Sequence, residues 1–97
     1  MAALDRVARE IVETHKQVAI RAKQIPIAER GIQRAVASYE RNLERIRNAQ
    51  GLPLEVLQSI QALAAARREY LRVVTDHNAA QFQLLRAIGG TPSVAAN

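Results

Sequence analysis

Taken every seventh residue from Leu4, the chain reads Leu4, Ile11, Val18, Ile25, Ile32, Tyr39 and Ile46 with no polar interruption. Seven consecutive hits at this spacing predict a helix with a sustained apolar seam. The row three residues on runs Val7, Thr14, Arg21, Ala28, Ala35, Asn42, Ala49. It is mostly small and partly polar, so the seam packs tightly in places and loosens around Thr14 and Arg21. A third row, Ala8, His15, Ala22, Glu29, Val36, Leu43, widens the apolar face toward residue 46. A second periodic stretch follows from Pro53 to Ile88. There the row Leu57, Ala64, Leu71, Asn78, Leu85 interleaves with Ile60, Arg67, Val74, Gln81, Ile88, and a third row adds Val56, Leu63, Tyr70, His77, Leu84. The stripe is broad near both ends and carries a polar layer at His77, Asn78 and Gln81. A stripe of this width contacts more than one neighbouring helix.

Between the two stretches lies the bend Asn48-Ala49-Gln50-Gly51-Leu52-Pro53. Gly51 is free to take the left-handed backbone that closes a helix, and Pro53 has a fixed φ suited to the first position of a new one. Arg45 and Arg47 precede the bend and Glu55 follows it, the signs that the two helix dipoles favour. The expected fold is therefore all-α, a single long antiparallel helical hairpin or coiled coil: helix 3–49, tip 48–53, helix 53–88, and a loose tail 89–97 after Gly89-Gly90. Pro26 removes one backbone hydrogen bond, to the Ala22 carbonyl, at roughly 3 kcal/mol. It either kinks a continuous first helix or breaks it into two. The unbroken phase from Ile25 to Ile32 favours the kink. A continuous first helix would reach about 70 Å and the second about 54 Å, leaving an overhang that needs a further partner.

Composition changes this picture little. The chain has 97 residues, 48% of them hydrophobic but only 3% aromatic, and no cysteine. That suits helices packed closely over long lengths, and it rules out disulfides and thiolate chemistry. The net charge of +5 raises nucleic acid or an anionic membrane as partners. However, Asp5 with Arg9, Arg6 with Glu10 and Arg9 with Glu13 interleave as (i, i+4) neighbours, the pattern of a solvated helix face. Arg41, Arg45 and Arg47 lack the stacking aromatics of a single-strand binder, so no nucleic-acid partner is expected. His15 and His77 lie on different helices without metal-ligand spacing. Paired acid–base carboxylates and a phosphate-binding glycine loop are absent. The expectation is not an enzyme, with no cofactor and no metal. No apolar run approaches the ~20 residues of a membrane-spanning helix.

The second stretch carries a further pattern. Leu54-Glu55-Val56-Leu57, Ala62-Leu63, Ala66-Arg67, Tyr70-Leu71, Asp76-His77-Asn78 and Leu84-Leu85-Arg86-Ala87-Ile88-Gly89 follow one another in order and spacing. This resembles the C-terminal helical part of the TolC-like outer membrane efflux proteins. The first helix is similar to that family's helix entering the bend, with Ala35, Tyr39, Leu43 and Ile46 in suitable places. The resemblance implies a fragment of a trimeric outer membrane channel, forming a wall of its periplasmic tunnel and transporting substrates passively. The tip, residues Asn48, Ala49, Gln50, Gly51, Leu52 and Pro53, would dock a periplasmic adaptor protein and, through it, an inner-membrane pump. Glu55 and Gln58 would stand at the tunnel entrance. Counted without gaps back from Glu55, the family's usual glycine position falls on Ala49, and His77 stands where the family commonly has tyrosine. The alternative to this reading is a free-standing coiled-coil interaction module, pairing through the Leu4–Ile46 seam. In either case, the surplus apolar flank implies that the isolated chain self-associates.

Overall fold

A computed structural model describes residues 2–89 and consists, over that span, of two helices. α1 covers Ala2–Arg47 and α2 covers Pro53–Gly89, joined by a five-residue turn. The fold is the all-α helical hairpin expected from the periodicity. The tail beyond Gly89, read as loose, lies outside the described residues. α1 is a single element through Pro26. Pro26 and Ala22 both lie exposed, so the turn that loses a backbone donor at Pro26 is on the solvent side of α1.

The chain divides into two units, one pairing the chain up to Gln24 with the chain from Val74, the other running Ile25–Val73. In the second unit, the α1 and α2 segments are antiparallel neighbours about the turn, with Ala28, Ser59 and Val73 buried. In the first unit, Ala80 and Ala87 are buried, and Arg21 meets Asp76 at 3.9 Å. Thr14 sits in the α1 seam and donates its hydroxyl to its own helix, to the Glu10 carbonyl at 2.8 Å and the Ile11 carbonyl at 3.1 Å. That back-bonding lets a polar side chain occupy a packed position without an unpaired donor.

Burial identifies which rows face inward. On α1 the two rows read from Ile11 and from Val7 are half-buried or buried through Ile46 and Asn42, as their spacing implied. Leu4, the first member, is 54% exposed. On α2 the outcome differs from the sequence reading. The inward rows are Val56, Leu63, Tyr70, His77, Leu84 and a row that the apolar pattern did not reveal: Ser59, Ala66, Val73, Ala80, Ala87. Of the three rows read as one broad stripe, only that through Val56 faces inward; those through Leu57 and through Ile60 point largely outward, and Leu57 is 50% and Leu71 63% exposed. The expected polar layer is likewise split, with His77 half-buried and Asn78 and Gln81 exposed. The physical reason is side-chain size. Small residues let the two helices approach closely, while the larger leucines and isoleucines are left on the flank one residue round.

Candidate docking site at the interhelical turn

α1 ends because one residue turns left-handed. That residue is Ala49, at φ 58°, and not Gly51, whose φ is not positive. The sequence expectation for Gly51 is thereby corrected. The amide of Ala49 donates to the Ile46 carbonyl at 3.0 Å and that of Gln50 to the Arg45 carbonyl at 2.8 Å. These are the 5→2 and 6→1 bonds of a Schellman close with Ala49 at C′. The Gly51 amide adds a second bond to the Arg45 carbonyl at 3.2 Å. Gly51 serves a different need. A Cβ there would lie 3.1 Å from the Arg45 Cβ and 3.5 Å from the Arg45 carbonyl carbon. The chain passes too close to α1 for a side chain to fit without displacement.

α2 starts at Pro53 with Leu52 as its N-cap, and the Glu55 amide donates to the Leu52 carbonyl at 3.0 Å. The Glu55 carboxylate completes half of a capping box, since its Oε1 accepts the Leu52 amide at 3.3 Å. Its Oε2 accepts the Arg45 guanidinium at 2.7 Å, and the same guanidinium reaches the Gln50 carbonyl at 3.4 Å. Arg45 therefore grips both sides of the turn. Deeper in, Asn42 donates to the hydroxyl of buried Ser59 and, at 3.4 Å, to the Glu55 carbonyl. Ser59 donates in turn to that carbonyl at 2.9 Å. Neither partner is left unsatisfied, which is what makes a buried polar pair tolerable.

The six residues read as the tip fall together on this braced turn. Asn48, Ala49, Gln50 and Pro53 are exposed and Gly51 is half-buried. Leu52 is 62% exposed, and Leu54 beside it 58%. The braced turn and the first residues of α2 thus present two large apolar side chains to solvent. Glu55, expected at a tunnel entrance, is half-buried and its carboxylate is occupied by Arg45 and Leu52; Gln58 is exposed. Of the arginines weighed as an anion site, Arg45 is paired with Glu55 and Arg47 with Glu44 at 3.6 Å. His15 is exposed and His77 half-buried. Among the described residues, no three His, Cys, Asp or Glu side chains are grouped to hold a metal ion. Among those residues, no helix is long and apolar enough to cross a membrane.

Sequence reasoning missed Asn42 and Ser59 as partners. The signal was available, because the two lie at nearly matching distances on either side of the turn and both are polar within the periodic rows. Comparison with known proteins finds no matching family model, no similar curated protein and no similar solved structure.

Proposed function

We propose that this chain is a tunnel-wall hairpin of a TolC-like outer membrane efflux channel, lying in the periplasm of a Gram-negative-type envelope. Its tip docks a periplasmic adaptor coupled to an inner-membrane pump, and substrates pass through the assembled trimer without chemical change. The observation that carries this reading is the tip itself. Leu52 and Leu54 stand exposed on a turn held by Arg45, Glu55, Asn42 and Ser59. A second support is positional: the left-handed residue is Ala49, the place where the resembled family has its glycine. In this reading Glu55 braces the tip through Arg45, and Gln58 is the side chain left to face the tunnel entrance.

The test is export by the full channel carrying Leu52→Asp or Leu54→Asp, both at exposed positions. Both variants are expected to assemble and to lose export; unchanged export in both removes the tip from the mechanism. A second reading, a free-standing coiled-coil interaction module, draws support from the exposed heptad face of α2. Its pairing surface would be that face and not the Leu4–Ile46 row, which from Ile11 onward is taken up within the hairpin.

A further inference from the structure

Three arginines on the outer side of α1 stand without a counter-charge. Arg30, Arg34 and Arg41 all belong to the unit Ile25–Val73, and all are exposed. At about 100° per residue they fall within about 40° of one another, and they span about 16 Å of the helix. The rows of α1 that turn inward, through Ile32 and through Ala28, lie round the helix from them. Among the described residues none of the three makes an ion pair, whereas Arg45, Arg47 and Arg72 each do. The neighbouring sequence gives the reason. Positions three and four away from Arg34 hold Arg30, Gly31, Ala37 and Ser38; those around Arg30 hold Pro26, Ile27, Gln33 and Arg34. Neither arginine has a carboxylate at those spacings. Arg30 with Arg34 is instead a like-charge (i, i+4) pair, which costs a helix stability. A local rule broken with no compensation inside the chain points to a group supplied from outside it.

The ground between the charges says what kind of group. Gly31, Ala37 and Ser38 separate the arginines, all three are half-buried, and a Cβ added at Gly31 would meet nothing within 4 Å. Small residues in these places let another helix come close, near enough for its carboxylates to accept from the guanidinium groups. Such charge-assisted bonds are the strong ones, and the planar guanidinium is shaped for them. Ile27, one heptad before Arg34 and 55% exposed, adds an apolar contact at the end of the row. A single-stranded nucleic acid would call for stacking aromatics among the arginines, and the aromatic of this stretch, Tyr39, sits in the inner seam. We infer that this face of α1 docks an acidic helix of a partner protein, its carboxylates spaced by four and seven residues to meet Arg30, Arg34 and Arg41. The inference goes beyond the conduit reading and uses neither the tip nor the contact between α1 and α2.

The probe is a fluorescent alanine-based helical peptide with glutamates at alternating four- and three-residue spacing, a pattern that reads the same in either direction. Its control carries the same glutamates spread round the helix. Fluorescence anisotropy with the whole chain should show tighter binding of the first peptide, weakening as salt rises. An exposed ion pair shifts an equilibrium by about two- to fivefold. Joint substitution Arg30→Gln, Arg34→Gln and Arg41→Gln should therefore weaken binding about ten- to hundredfold. Circular dichroism should show that this variant keeps its helicity, since it removes a like-charge pair and breaks no ion pair. Equal affinity for the two peptides, no binding at low salt, or undiminished binding by the triple variant overturns the inference. So does binding of inorganic polyphosphate, or of vesicles of phosphatidylcholine and phosphatidylglycerol in equal parts, as tight as that of the peptide and lost in the same variant. The face would then be a general anion surface. Leu52→Asp should bind the peptide as the parent chain does, which separates failure of this inference from failure of the tip.

Discussion

Ala49→Gly should stabilise the chain. An L-residue held in the left-handed region costs roughly 1–2 kcal/mol through contact of its Cβ with the backbone. Ala49 bears that cost at φ 58°. Glycine removes it but gives the unfolded chain more freedom, worth about 0.4–1 kcal/mol against folding. The difference leaves a gain of roughly 0.5–1 kcal/mol, or about 2–8 °C in melting temperature for a domain of this size. The control is Gly51→Ala, two residues on. Its φ is not left-handed, so a naive count of entropy predicts a gain there. The added Cβ would instead press on the Arg45 Cβ at 3.1 Å, and Arg45 is tethered to Glu55 at 2.7 Å. Overpacking of this kind costs about 1–3 kcal/mol, so Gly51→Ala should lose stability. Urea and thermal unfolding followed by circular dichroism measure both variants, at a concentration where the chain is monomeric so that mass action does not enter. A gain for Gly51→Ala together with a loss for Ala49→Gly would refute the account of the turn.

The remaining expectations concern the polar contacts. Asn42→Ala should cost about 1 kcal/mol, and a double-mutant cycle with Ser59→Ala should show coupling of roughly 0.5–1.5 kcal/mol; additive losses in urea titrations would deny the pair. Glu69 accepts a bidentate contact from Arg72, at 3.1 Å from Nε and 2.5 Å from Nη2. That hydrogen bond, with the nearby charge, holds its carboxyl below the usual glutamate range against a smaller opposing desolvation. The stability it lends is present above the unfolded-state pKa and is lost as pH falls through the lowered value. Carboxyl-carbon NMR titration should place the Glu69 midpoint below that of a free glutamate, and Arg72→Ala should return it there; equal midpoints in the two proteins would dismiss the contact.

The hairpin and the α1 seam were legible because both are local signals. The heptad beat of Ile11 to Ile46 needs no knowledge of a partner, and the charges flanking the bend announce two helix ends. α2 was harder because two adjacent rows satisfy the same period. The rows through Leu57, Ile60 and Val56 all fit the apolar period, whereas the row of Ser59, Ala66, Val73, Ala80 and Ala87, which also faces inward, is too small and polar to stand out. Asn48 to Pro53 fall together at the interhelical turn, as the sequence places them, but the sequence does not show what holds that turn. Arg45 with Glu55 and Asn42 with Ser59 are pairings across the turn, and they emerge only once the register of one helix against the other is known. The left-handed residue was misplaced for a related reason. Glycine makes that conformation cheap, but the two carbonyl bonds to Arg45 and Ile46 choose where the chain must reverse, and they choose Ala49.

The slender inner row of α2 bears on how this protein can drift over generations. Ser59, Ala80 and Ala87 have no room to grow, so bulkier replacements there meet the opposing helix at once. Outside, a leucine exchanged for glutamine disturbs the hairpin's own contacts less, since Leu71 and Leu85 are each 63% exposed. Descendants can therefore lose or acquire companions by changing their outer skin while the two-helix skeleton stays fixed.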